Sequence, residues 1–178
     1  MTAFEAACQV WAEVYIPLLE RWGFKVTEIP REFPLYLLGE KCWDIERGEK
    51  TKATVIIFAF KWEKQSAHIN FAPVCSWDLY GNALLGARRA FDEIVARLVV
   101  SAAIRRHVRY KPCFIKKLDR REIQFQFVFK GNEWLWLARV FENGKWSDKP
   151  YEFAGTTQTN PIATFKQFER AVCLELLV

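Results

Sequence analysis

The sequence predicts an α+β protein in which a single antiparallel sheet of about 6–8 strands packs against three helices, in the order α-ββββ-α-ββββ-α. Three observations lead to this prediction. Three segments carry apolar residues at helical spacing, and the segments between them are rich in β-branched and aromatic residues. Turn residues separate these segments at short intervals.

The first helix is expected over residues 2–22. Thr2 and Glu5 have the spacing of a capping box, in which each side chain satisfies a free backbone N–H of the other residue. Apolar residues then recur on one helical face. Pro17 interrupts this pattern and is expected to kink or break the helix, because proline lacks the N–H that the helix needs. Gly23 is expected to end it.

Four strands follow, at 24–29, 35–45, 54–62 and 66–74. The third is apolar on both faces from Val55 to Phe60, which is typical of a strand in the middle of a sheet. The fourth alternates apolar and polar residues and is expected to pair beside it. Asn82 is then expected to cap a long second helix over residues 82–107.

The second half predicts strands at 109–117, 122–130 and 134–141 and a short one within 145–153. Turns are expected at Asp119-Arg120, Gly131-Asn132 and Asn143-Gly144, the last being a strong hairpin signal because both residues tolerate positive φ. A polar loop at 156–159 leads to Asn160-Pro161, which should start a last helix over 161–177. No linker separates the halves, so residues 1–178 are interpreted as one domain. An internal duplication of 1–80 and 81–178 is the less favoured alternative.

Cysteine use and hydropathy indicate a cytoplasmic protein without a membrane segment. The five cysteines are at least 33 residues apart, so they form no CxxC element and are interpreted as reduced thiols in the core. The longest apolar run, Val55 to Phe60, is far shorter than the roughly 18 residues that a membrane-spanning helix needs. The 51% hydrophobic content excludes a disordered chain.

Positive charge is concentrated in one part of the chain. Residues 88–121 contain 11 Lys and Arg against 3 Asp and Glu, whereas the remainder contains 15 against 18. Part of this excess is balanced by i,i+4 pairs on the second helix. The sharper feature, called here the basic cluster, is the set of candidate nucleic-acid-binding residues Arg105, Arg106, Arg109, Lys111, Lys116, Lys117, Arg120 and Arg121.

Two interpretations of the basic cluster are open. Phosphates bind where Lys and Arg side chains converge, and the aromatic residues Tyr110 and Phe114 are interleaved with them. Alternatively, Arg105 and Arg106 complement the dipole at the end of a helix, and lysines protect the edge of a sheet.

Aromatic residues, 16% of the chain, are the second unusual feature. Phe125, Phe127 and Phe129 share one face of a strand. They are expected to be buried, because phenylalanine has no polar group to satisfy. Several tryptophans lie near strand ends or turns and are candidates for exposed interaction residues: Trp43, Trp62, Trp77 and Trp146.

Signals for catalysis are weak. The two histidines, His68 and His107, are 39 residues apart, and no phosphate-binding glycine loop or GxSxG element is present. Glu40, Asp44 and Glu63 could converge around a metal ion as in a nuclease, but their spacing does not require it.

The sequence therefore favours a non-enzymatic nucleic-acid-binding protein, with DNA or RNA as partner and no cofactor. The first alternative is a protein-interaction module, such as an inhibitor, adaptor or assembly subunit. Its Trp-rich surface would form the interface, and the basic cluster would bind an acidic partner. The second alternative is a metal-dependent nuclease-like enzyme.

Overall fold

A computed structural model describes residues 1–109, 111–153 and 160–177. Tyr110 and the predicted polar loop at 156–159 lie outside these ranges. The α+β class is confirmed, but the prediction of a single sheet is wrong. Within the described ranges the chain forms two antiparallel sheets of five strands, each built almost entirely from hairpin-connected strands. The residues group into two compact units.

Unit 1 comprises residues 1–95 and 107–109. Its N-terminal helix has three parts: α1 (Ala3–Val10), a π-helical segment (Trp11–Tyr15) and α2 (Ile16–Arg21). The sheet order is β1-β2-β3-β4-β5, made of β1 (Lys25–Ile29), β2 (Leu37–Arg47), β3 (Thr51–Phe60), β4 (Ala67–Ala72) and β5 (Cys75–Leu79). The strand expected at the centre, β3, lies there. β5, which begins two residues after Pro73, was not predicted from the sequence.

Unit 2 comprises residues 96–106 and 110–178. Its sheet order is β10-β8-β7-β6, and the short strand β9 pairs with β8. The strands are β6 (Cys113–Leu118), β7 (Arg121–Lys130), β8 (Glu133–Glu142), β9 (Lys145–Trp146) and β10 (Tyr151–Phe153), and the last helix is α4 (Pro161–Leu177). The long helix α3 (Ala83–Ile104) contributes residues to both units. The prediction that residues 1–178 form one domain is a statement about whether the two units fold independently of each other. It stays a prediction.

The core of unit 1 lies between the N-terminal helix and one face of its sheet. Trp11 packs against Trp43 of β2 and Phe91 of α3, with ring centroids 6.2 and 4.9 Å apart. The Tyr15 hydroxyl, which lies in the same aromatic cluster, donates to Asp92 Oδ1 at 2.8 Å. Alternate residues of β3, including Val55, are fully buried on this face.

Pro17 does not break the helix. The residues before it adopt a π-helical turn, in which the Ile16 N–H bonds to the Trp11 carbonyl five residues earlier. A π turn of this kind is wider than an α turn, so it relieves the clash that a proline ring makes with the preceding turn. The helix then continues to Arg21.

The core of unit 2 is an aromatic layer between α4 and the sheet. Phe165 of α4 lies 4.7 Å from Trp136 and 5.5 Å from Phe125, measured between ring centroids. The Trp136 Nε1–H donates to the Pro161 carbonyl at 2.9 Å. The predicted burial of the phenylalanine face is confirmed for Phe125 and Phe127, whereas Phe129 is exposed near the end of β7.

Two helices end in the same motif with different residues. After α2, the Gly23 N–H bonds to the Glu20 carbonyl and the Phe24 N–H to the Leu19 carbonyl. After α3, Arg105 and Arg106 repeat this arrangement with the carbonyls of Ala102 and Ser101. Both motifs place one residue in the left-handed region, with φ of 89° at Gly23 and 55° at Arg105.

This comparison predicts that Arg105→Gly stabilises the protein. An L-residue in the left-handed region is strained by about 1 kcal/mol relative to glycine. The variant should therefore raise the free energy of unfolding by about that amount, measured by urea denaturation. Arg105→Ala is the matched control, because it removes the same charge and keeps the strain. Equal stability of the two variants would contradict the prediction.

Candidate interaction surfaces

The structure divides the basic cluster into residues with different roles. Arg109 belongs to unit 1, and the other seven belong to unit 2. Arg105, Arg106, Lys111, Lys117 and Arg120 are exposed, while Lys116 and Arg121 are partly buried. The predicted turn at Asp119-Arg120 forms and places Arg120 at the tip of the β6–β7 hairpin.

Lys116 is held by a buried carboxylate. Its Nζ donates to Glu169 Oε1 of α4 at 2.6 Å, and Lys166 Nζ donates to the other oxygen at 3.2 Å. Burial alone would raise the pKa of Glu169, but these two hydrogen bonds outweigh it and hold the pKa below its usual value. The ion pair between Lys116 and Glu169 therefore links β6 to α4. Removing Lys116 would destabilise the protein, because the buried carboxylate of Glu169 would have one partner fewer.

Arg121 also has internal partners. Its Nε lies 3.0 Å from Glu142 Oε1 on β8, and one terminal nitrogen donates to the Leu176 carbonyl at the end of α4. That carbonyl is one of the groups that a helix leaves unsatisfied at its C-terminus. Arg121 thus caps α4.

The cations that stay exposed lie at the end of α3 and around the β6–β7 hairpin. The Lys117 side chain is 81% exposed, and its distance of 4.0 Å to Glu122 makes a weak surface pair. The Arg106 guanidinium lies 6.0 Å from the centroid of the Phe114 ring, within reach of a cation–π contact. Unit 2 as a whole contains 14 Lys and Arg against 8 Asp and Glu, whereas unit 1 contains 12 against 13.

Of the four tryptophans predicted near strand ends, two are exposed. Trp62, in the β3–β4 connection of unit 1, is 69% exposed, and Trp146, on β9 of unit 2, is 38% exposed. Trp43 is buried and Trp77 is half-buried. The remaining tryptophans belong to the two cores.

Trp62 is part of an exposed aromatic strip in unit 1. Phe58 and Phe60 lie on the face of β3 opposite the buried core, and Phe60 stacks on Trp62 at a centroid distance of 4.9 Å and an interplanar angle of 8°. The strip consists of Tyr36, Phe58, Phe60, Trp62, His68 and Tyr80, linked by ring contacts. The exposed residue Leu35 directly precedes Tyr36, and the exposed residue Leu38 follows two positions after it.

His68 is clamped between two carboxylates. Its Nδ1 lies 2.7 Å from Asp78 Oδ1 and its Nε2 lies 2.9 Å from Glu63 Oε2. Burial lowers the pKa of His68, but the two hydrogen bonds outweigh it and raise the pKa above its usual value. Only the charged imidazolium can donate from both nitrogens. The register of β4 and β5 creates the clamp, because it sets His68 opposite Asp78.

The three carboxylates considered as metal ligands have separate partners. Glu40 lies 3.4 Å from Arg31, Asp44 accepts from the Thr54 hydroxyl, and Glu63 belongs to the His68 clamp. Glu40 and Asp44 are four residues apart on one strand, which separates their Cα atoms by about 13 Å. Within residues 1–109, 111–153 and 160–177, no three His, Cys, Asp or Glu side chains are grouped to hold a metal ion.

Burial governs the chemistry of the two core thiols. It raises the pKa of Cys8 to about 12 and also raises the pKa of Cys42. Both therefore stay protonated at neutral pH, as expected of cysteines that serve as small apolar side chains. Across the part of the chain that the structure covers, no helix has the length and apolarity to span a membrane.

The clamp predicts a pH dependence of stability that depends on His68. A histidine whose folded-state pKa is raised contributes stability that is fully present below its unfolded pKa of about 6.5 and is lost as the pH rises through the folded-state value. The urea midpoint of the wild-type protein should therefore fall from pH 6 to pH 9 by more than that of His68→Gln. His107→Gln serves as the control and should follow the wild type. Parallel curves for wild type and His68→Gln would refute the role of the clamp.

The chain was also compared with known proteins. No protein-family model, no curated protein and no solved structure matches it. The side chains of these surfaces are therefore the basis for assigning a function. They comprise the exposed cations of unit 2, the aromatic strip of unit 1, and Trp146.

Proposed function

We propose that this chain is a non-enzymatic nucleic-acid-binding protein and that the exposed cations of unit 2 contact the phosphates. One observation carries the proposal. The excess of positive over negative charge is found in unit 2, and five cations of the basic cluster in that unit stay exposed after Lys116 and Arg121 are assigned to structural ion pairs. Phosphate backbones favour surfaces on which several Lys and Arg side chains are accessible.

The contact residues assigned by this proposal are the exposed members of the basic cluster in unit 2. Arg105 and Arg106 follow α3, Lys111 precedes β6, and Lys117 and Arg120 belong to the β6–β7 hairpin. Arg109 and the two structurally paired residues are left out. About five phosphate contacts give a slope of log K against log salt between about −3.5 for single strands and −4.5 for duplex DNA.

The test is fluorescence anisotropy with a labelled single-stranded oligonucleotide, a duplex and an RNA, at several salt concentrations. The wild-type protein should bind with the slope given above. Lys117→Glu/Arg120→Glu should lower the affinity at least tenfold at low salt and make the slope shallower, because phosphate contacts are lost. Lys116 is left unchanged, since its substitution would disturb α4.

Lys50→Glu/Lys52→Glu is the matched control for this test. It makes the same change of net charge at the β2–β3 hairpin of unit 1, where both lysines are exposed. The control should bind like the wild type or only slightly more weakly. Absence of binding to all three probes, an affinity independent of salt, or an equal effect of the two double variants would overturn the proposal.

The aromatic strip supports a second candidate function, binding to a protein surface. Trp62, Tyr36 and Tyr80 are exposed together with Leu35, and such contiguous apolar side chains are enriched where proteins bind one another. Unit 1 carries no excess of positive charge, so the electrostatic attraction to phosphates proposed for unit 2 does not apply to this surface.

This candidate predicts self-association or capture of a partner through Trp62. Light scattering over a range of protein concentrations should show an oligomer that Trp62→Glu converts to a monomer, because a charge in the strip opposes burial of its apolar surface. A wild-type protein that remains monomeric throughout would exclude association between copies of this chain through the strip.

A further inference from the structure

A groove beside β9 in unit 2 contains the second exposed tryptophan. It measures about 490 Å³ and is lined by residues of β8 and β9, the loop that follows, β10 and the end of α4. This volume lies within the range of about 300–1,000 Å³ that is typical of small-molecule sites. The lining residues with charged, hydroxyl or aromatic side chains are Glu142, Lys145, Trp146, Ser147, Lys149 and Tyr151.

The groove has a fixed backbone. Asn143 and Gly144 form the predicted turn with φ of 52° and 78°, which brings β9 back onto β8 and sets Trp146 opposite Phe141. Beyond β9, the Ser147 N–H donates to the Val140 carbonyl at 2.7 Å, and the Ser147 hydroxyl accepts from the Val140 N–H at 3.1 Å. These bonds fasten the start of the 147–150 loop to β8.

The charge balance of the groove is positive. Lys145 and Lys149 are exposed, and Glu142, which is the acidic residue among the described lining residues, is already paired with Arg121 at 3.0 Å. Trp146 packs on Phe141 with ring centroids 5.0 Å apart, which supports the indole from one side. An accessible aromatic ring close to two lysines matches a ligand that has both a flat π-system and a negative charge.

Two other grooves lack this combination. One, in unit 2, contains Lys116, Lys166 and Arg170, but both lysines are bound to Glu169, and none of its described lining residues is aromatic. The other, in unit 1, is lined by Asp44 and Glu46, and its lining within the described part of the chain also contains no aromatic residue. Aromatic and cationic groups meet only in the β9 groove among these three.

We propose that the β9 groove binds an unpaired nucleotide, with the base stacked on Trp146 and its phosphate held by Lys145 and Lys149. This inference rests on the proposed function and deepens it, because it specifies single-stranded nucleic acid and adds three residues outside the basic cluster. A duplex keeps its bases stacked within the helix, so the groove takes bases from single strands or free nucleotides.

The experiment measures anisotropy of a labelled oligo(dT) strand with the full chain, and calorimetry with adenosine 5′-monophosphate. Trp146→Ala should weaken binding of the strand at least about fivefold, because base stacking on an aromatic ring is lost. Trp146→Phe should recover most of the affinity, and Lys145→Gln/Lys149→Gln should weaken binding and make the salt slope shallower. Phe33→Ala, at an exposed aromatic residue of unit 1 outside the aromatic strip, is the matched control and should bind like the wild type.

The outcomes separate this inference from the proposed function. If the wild type binds the strand through Lys117 and Arg120, but Trp146→Ala has no more effect than Phe33→Ala, the groove assignment is overturned and the proposed function stands. If the wild type binds neither the strand nor the mononucleotide, both fail. Binding of the mononucleotide alone, lost in Trp146→Ala, supports the groove as a nucleotide site and overturns its role in binding strands.

Discussion

The position of α4 in unit 2 depends on one buried tryptophan. Trp136 donates its indole N–H to the Pro161 carbonyl and packs against Phe165, which fixes the first turn of the helix on the sheet. A helix rises about 1.5 Å per residue, so Glu169 follows about 12 Å later and Leu176 about 22 Å later. The Glu169 carboxylate accepts a hydrogen bond from Lys116, and the Leu176 carbonyl accepts one from Arg121. One ion pair, one hydrogen bond to the end of the helix and one wall of the β9 groove therefore follow from a single hydrogen bond and its aromatic layer.

Short-range signals in the sequence predict most of the individual elements. The capping box of Thr2 and Glu5, the N-cap of Asn82 and the helix start at Asn160-Pro161 are all confirmed, because each depends on side chains within a few residues. The hairpin turn at Asn143-Gly144 is confirmed for the same reason. Local chemistry determines where an element begins, ends or turns, and this is sufficient to predict the α+β class.

Long-range pairing is what the sequence could not supply. The apolar and polar pattern of the strands does not determine whether two successive antiparallel meanders pair edge to edge into one sheet. In this protein they form two separate sheets. For the same reason, the sequence did not show that Lys116 and Arg121 of the basic cluster have internal partners. These partners, Glu169 and Leu176, lie more than fifty residues further along the chain. The clamp around His68 was missed because Asp78 belongs to the unpredicted strand β5. Trp146 could be suspected from its place near a turn, but its groove required the folded position of α4.

The distribution of the eight tryptophans makes the protein suited to optical study. Five of them, including Trp11 and Trp136, are buried and emit from an apolar environment, whereas Trp62 and Trp146 are accessible to a quencher such as acrylamide. These two lie in different units. A single Trp-to-Phe replacement at either position thus leaves the other as the main accessible fluorophore. The same chain can report on solvent access at each unit in turn, without any attached dye.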